Sequence, residues 1–95
     1  MEMDDAIPVL SALAQPTRYR CVSHLVDRGE CTAGELAQVL GVPANTMSSH
    51  LTILAHAGLV ASQRHGRNIV YAACVEKIAD VAGMLSALVP DPAGR

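Results

Sequence analysis

The sequence has no tryptophan, no phenylalanine and only two tyrosines in 95 residues, although 51% of it is hydrophobic. A core must therefore be built from Ala, Val, Leu, Ile and Met, which suits closely packed helices. Few aromatic faces remain for stacking unpaired bases, so single-strand or RNA binding is less expected than duplex binding. Long apolar runs are missing too. No stretch is long enough to span a bilayer, and the acidic start Met1-Glu2-Met3-Asp4-Asp5 lacks the basic and apolar regions of a signal peptide. A cytoplasmic protein without membrane contact is expected. Its three cysteines should then be thiols, and their odd number argues against a simple intrachain disulfide framework. Nor is there a nucleophile with a base and an orienting group, a phosphate loop or a His-Glu-x-x-His motif, so an enzyme is not expected.

The most informative absence is local. From Leu36 to Val75 there is no Asp or Glu, while His50, His56, Arg64, His65 and Arg67 all fall there; the nine acidic residues lie outside. The net charge of -2 and pI near 6.0 argue weakly against a nucleic-acid partner. Phosphate contact, however, needs only a locally positive face, and the uneven distribution outweighs the mean.

What is present has a clear order. About Met3 to Ala14 reads as helix one, with Ile7, Leu10, Leu13 and Ala14 at helical spacing and Asp4 or Asp5 available to cap it. Pro16 opens helix two, which runs to Arg28 and stops at Gly29; Val22, Leu25, Val26 and Cys21 form its apolar side, while Arg18, Arg20, Asp27 and Arg28 are expected in water. Thr32-Ala33-Gly34-Glu35 matches a capping box and starts helix three, which ends at Leu40 before the turn Gly41-Val42-Pro43. Helix four, Ala44 to Ala57, should turn Met47, Leu51, Leu54 and Ala55 inward and leave Asn45, Thr46, Ser48, Ser49 and Thr52 outside, with His50 at the border. Gly58 stops it. Leu59 to Arg64 and Asn68 to Ala72 read as two strands joined by His65-Gly66-Arg67, and Val75 to about Val89 as helix five, with Val75, Ile78, Ala82, Leu85 and Val89 in a stripe. The expected fold is mainly α with a small β-hairpin, a winged helix-turn-helix. It forms one domain over residues 1–89, followed by a flexible tail over 90–95.

That arrangement carries a chemistry. The second helix of a helix-turn-helix can lie in the major groove, where Asn pairs with adenine and Ser or Thr reaches bases or phosphates. Arg64 and Arg67, flanking the hairpin tip, are suited to anchoring phosphate. The apolar stripe of helix five is wide for a terminal helix and is expected to meet its own copy. A two-fold dimer would then present two recognition helices to half-sites about one DNA turn apart.

Gly34-Glu35-Leu36-Ala37, Asn45-Thr46-Met47-Ser48-Ser49-His50-Leu51, Ala57-Gly58-Leu59-Val60 and Gly66-Arg67-Asn68-Ile69-Val70-Tyr71 together resemble the ArsR/SmtB family of winged-helix repressors. Ala12-Leu13-Ala14-Gln15-Pro16-Thr17-Arg18 resembles that family's lead into its second helix, and the likeness covers about residues 7–89. The resemblance implies a homodimer joined through helices one and five on an inverted-repeat, double-stranded DNA operator. It implies that Asn45, Thr46, Ser48, Ser49 and His50 face the major groove and that Arg64, His65 and Arg67 make the wing contact. It also implies release by an inducer, most often arsenite or another thiophilic metal ion, or a thiol oxidant. The chain departs from the family in lacking a Cys-x-Cys in helix three, paired cysteines near its end, and the carboxylate and histidine pattern of helix five, where only Glu76 and Asp80 could bind.

Soft thiolates select soft metals, so Cys21, Cys31 and Cys74 are the candidate metal ligands, with Cys21 and His24 one turn apart. Against this, buried Cys often serves as a small hydrophobe, which would suffice for Cys21 and Cys74. Cys31 is expected in a polar loop at a helix N-terminus, where a thiolate is favoured. Two alternatives stand beside a metal-released repressor: a repressor sensing thiol oxidation or persulfide, and a winged-helix protein-interaction module that does not touch DNA.

Overall fold

A stripe of small residues sets how the first helix packs. In the computed structural model, which describes residues 1–91, helix α1 (Met3–Leu13) buries Ala6, Val9 and Ala12 and turns Ile7 outward, 54% exposed. The small side chains let α1 approach its neighbours closely, so the expected inward position of Ile7 is corrected. Leu10 and Leu13 pack at the margin of the core. Glu2 is the N-cap residue without a side-chain bond; Asp4 and Asp5 lie in the first turn, where they favour the helix dipole instead of capping it.

Helix α2 (Pro16–Arg28) begins as expected, with Pro16 at its start and the Gln15 side chain accepting from the Arg18 N–H. Cys21, Val22 and Leu25 are buried, whereas Val26 is exposed. Beyond Gly29 comes a strand that sequence reasoning missed: β1 (Cys31–Thr32) pairs antiparallel with a later strand, Cys31 opposite Tyr71 and Thr32 opposite Val70. Two residues are too few to show alternation. Helix α3 (Ala33–Leu40) has the capping box in full: the Thr32 N–H donates to Glu35 Oε1 at 2.8 Å, and the Glu35 N–H donates to Thr32 Oγ1 at 3.1 Å. Gly41 then takes a left-handed backbone, φ 68°, which a side chain would strain, and releases the chain into helix α4 (Ala44–His56).

Strands β2 (Val60–His65) and β3 (Asn68–Ala73) form the wing, and the three strands lie in the order β1-β3-β2. His65 pairs with Asn68, so the turn is Gly66-Arg67 alone. Gly66 has positive φ and Arg67 does not, the pattern of a type II′ hairpin. Helix α5 (Val75–Ser86) is shorter than expected and buries one side chain, Val81, which lies outside the expected stripe. Ile78 packs on the core margin, while Val75 and Leu85 are exposed. The core lies where α1 to α4 meet the sheet: Leu25, Leu36, Met47, Leu51, Leu54 and Leu59 are its largest side chains. Of the tail expected over 90–95, residues 92–95 lie outside the described residues.

Candidate nucleic-acid interface

Helix α4 is held from behind. Met47, Leu51 and Leu54 are buried, which fixes the opposite face outward and exposes Asn45, Thr46, Ser48, Ser49 and Thr52; Ala55, expected inside, is exposed as well. Asn45 Oδ1 accepts from the Thr46 N–H at 3.0 Å, and the first turn contains no acidic residue. Free N–H groups and the positive end of the helix dipole thus face an N-terminus without competing carboxylates, a favourable place for phosphate. The Ser49 and Thr52 hydroxyls donate to the carbonyls of Asn45 and Ser48, at 3.2 and 3.0 Å, which leaves their oxygen lone pairs outward as acceptors.

The wing follows directly from α4 through Gly58. Arg64, His65 and Arg67 are exposed at its tip, and among the described residues neither arginine has an acidic partner. His65 is different. Its Nε2 lies 3.8 Å from Glu30 Oε2, so folding brings next to the wing an acid that is distant in sequence. His50 also differs from its neighbours: it is half-buried, and its Nδ1 lies 3.5 Å from Nη1 of Arg18. Arg18 was expected in water but is half-buried, and its Nε–H donates to the Ala12 carbonyl at 2.7 Å. Helical spacing within α2 shows which residues share a face but not which helix end lies opposite, so it could not reveal this link.

The cysteines are not gathered into a metal site within the chain. Among the described residues no three His, Cys, Asp or Glu side chains stand close enough together to hold a metal ion. Cys21 is fully buried in α2, Cys31 is nearly buried in β1, and Cys74 is half-buried where α5 starts. Three thiolates therefore do not converge among the described residues: Cys21 and Cys31 share the core cluster, and Cys74, at the wing-to-helix junction, is not part of it. Burial, with a smaller effect from Cys31, pushes the Cys21 thiol up to about 11. Burial and the Glu35 carboxylate also raise Cys31, against an opposing pull from Arg28. This overturns the expectation of a favoured thiolate at Cys31: the strand pairing takes its side chain into the core, and the capping-box carboxylate adds repulsion. Its Sγ–H donates weakly to the Gly29 carbonyl at 3.8 Å.

A helix-turn-helix domain family matches residues 13–63. The HTH-type transcriptional regulator CmtR of Mycobacterium tuberculosis is 40% identical over 74 residues, which cover 78% of this chain and 62% of that regulator. An ArsR-like transcriptional regulator from Rhodococcus sp. RHA1 superimposes with a TM-score of 0.81 at 30% identity, over 90% of this chain and 79% of that one. The chain belongs to the ArsR/SmtB family of winged-helix regulators. The homodimeric winged helix-turn-helix DNA-binding domain of Mycobacterium bovis Mb0332, described as a possible ArsR-family regulator, has a TM-score of 0.76 to this ArsR/SmtB chain at 27% identity; 90% of this chain and 79% of that one are covered. This ArsR/SmtB chain thus spans about three-fifths of the length of CmtR. Among its described residues no helix is long and apolar enough to cross a membrane.

Proposed function

We propose that this ArsR/SmtB protein is a DNA-binding transcriptional repressor, acting as a homodimer through α1 and α5 on an inverted-repeat operator. The observation that carries the reading is the exposed row Asn45, Thr46, Ser48 and Ser49 on α4, beside a hairpin tipped by two arginines that have no acidic partner in the described ion pairs. The row supplies donors and acceptors for base edges and phosphates, and the arginines supply phosphate anchors. Arg64 and Arg67 hold the wing on the backbone; His65 and His50 take part at the borders. The exposed apolar residues Met3 and Ile7 of α1, Val75 and Leu85 of α5, and Leu88 and Val89 just beyond α5 support pairing of two copies.

Control is read as thiol-based. Arsenite or another thiophilic ion would not find three donors within one chain, so a metal-released repressor would need ligands from both protomers. Chemistry on two thiols asks for fewer donors: Cys21 and Cys31 share the core cluster, and because both are buried an oxidant would act on them as the core opens. A thiol oxidant that joins the two sulfurs would strain the α2 to β1 connection and so loosen the α3–α4 unit that follows.

The test is a titration of labelled duplex, carrying the DNA upstream of the protein's own coding sequence, at two salt concentrations. A repressor binds it far more tightly than a scrambled duplex, by a factor on the order of a thousand or more. Equal weak binding to both would favour a protein-interaction module. Adding diamide should release the DNA from the wild type and not from Cys31→Ser; release that is the same in both would remove Cys31 from the mechanism.

A further inference from the structure

Arg18 makes the described side-chain hydrogen bonds that reach from one helix to another; the others join residues at most four apart. Its Nε–H caps the Ala12 carbonyl, one of the last in α1 and so without a partner inside that helix. Its Nη1 meets Nδ1 of His50 on α4. A single guanidinium in the first turns of α2 therefore ties the end of α1 to the middle of the candidate recognition helix.

We infer that Arg18 is a positioning residue for DNA recognition, which locks α4 to the C-terminal end of α1 and fixes the tautomer of His50. A guanidinium only donates, so the His50 Nδ1 that faces it must carry the lone pair. The ring proton then resides on Nε2, and the second ring nitrogen is left as a donor suited to a phosphate oxygen or a base acceptor. In the proposed dimer α1 belongs to the pairing surface, so the same link transmits the spacing set by that surface to the helix that reads the groove. The inference rests on the DNA-binding reading, but its first test does not.

That test is a long-range 15N–1H spectrum of the wild-type protein without DNA, with His50 assigned by its loss in His50→Gln. The expected result is the Nε2–H tautomer alone, with the Nδ1 signal moving toward the mixed-tautomer value of a free imidazole in Arg18→Ala, which leaves no donor; an Nδ1–H tautomer in the wild type, or an Nδ1 signal unchanged in Arg18→Ala, overturns the inference. The second test compares Arg18→Gln, Arg18→Lys, His50→Ala and the Arg18→Gln, His50→Ala double variant on upstream and scrambled duplexes, each checked for fold by circular dichroism. Arg18→Gln should lose about tenfold in affinity for the upstream duplex, the scale of a lost charge-assisted hydrogen bond, with scrambled binding and salt slope unchanged. Arg18→Lys should fare no better, since it keeps the charge but not the planar fork. The double variant should be no weaker than the weaker single variant. Additive losses, rescue by Lys, or a salt slope reduced by roughly 0.9 would instead make Arg18 a direct phosphate contact and overturn the inference. A wild type that does not distinguish the two duplexes defeats the repressor reading, and the tautomer spectrum still decides the Arg18 link.

Discussion

Helices α4 and α5 have nearly the same length, 13 and 12 residues, yet they use their apolar residues differently. Helix α4 sends Met47, Leu51 and Leu54 into the core and, apart from Ile53 at 43% exposure and Ala55, keeps an outer face of Asn, Ser and Thr. Helix α5 buries Val81 alone and leaves Val75 and Leu85 exposed, followed by Leu88 and Val89 at 79% and 67% exposure. Water tolerates the first surface and penalises the second. The α4 face is complete as a free surface and awaits a polar, charged partner; the α5 end is unfinished until apolar surface covers it. A small domain with a core of Ala, Val, Leu and Met gains from that second burial, and one pairing event would both add stability and set the distance between two reading helices.

The contrast can be broken most severely at the apolar end. Leu85→Glu combined with Leu88→Glu should turn the dimer into a monomer in sedimentation and lower affinity for the upstream duplex by about a hundredfold or more, since linked half-sites gain on the order of 10² to 10⁴. An unchanged dimer would place the pairing surface elsewhere. On the inner face of α4, Leu54→Ala should cost roughly 2–5 kcal/mol in urea unfolding, because Leu54 is fully buried and the cavity it leaves cannot fill with water. At the wing, Arg67→Ala should weaken upstream and scrambled duplexes alike and reduce the salt slope by roughly 0.9, with stability within about 0.5 kcal/mol of the wild type. The smallest effect is expected at the capping box that aligns α3 behind α4: Thr32→Ala should cost about 1 kcal/mol of stability.

The capping box also has a pH signature. Bonds from Thr32 hold the Glu35 carboxyl below its ordinary 4.5 in the folded state. Its contribution is therefore complete above that value and fades as pH falls through the lowered one. Denaturant melts from pH 6 to 3 should show a shallower acid decline in Thr32→Ala than in the wild type, because the variant's Glu35 is depressed less.

Much of this was readable in the sequence, for reasons tied to particular residues. Pro16, the Thr32 to Glu35 box, Gly41 and Gly58 act locally, so the helix boundaries they set could be read from neighbours in the chain. Met47, Leu51 and Leu54 repeat at helical spacing, which fixed the outward row of α4 before any fold was known. Helical spacing marks Ile7, Leu10, Leu13 and Ala14 on α1, whereas packing against α2, α4 and α5 buries Ala6, Val9 and Ala12. Strand β1 was missed because its two residues become a strand only through β3, and the burial of Cys31 came with it. Likewise Arg18 with His50 and Glu30 with His65 are pairs made by tertiary folding, and no spacing rule within one element could have announced them. The acid-free stretch from Leu36 to Val75 was correctly read along the chain, but Glu30 is folded back against its wing.

The proposal depends most on two reading helices being held one turn of DNA apart by the apolar ends of two chains. Hydroxyl-radical footprinting of the upstream duplex tests this directly. Two protected tracts on one face of the DNA, centred about 10–10.5 base pairs apart, and their joint loss in the Leu85→Glu, Leu88→Glu variant, are the expected result. A single protected tract, or two that survive that variant unchanged, would contradict it.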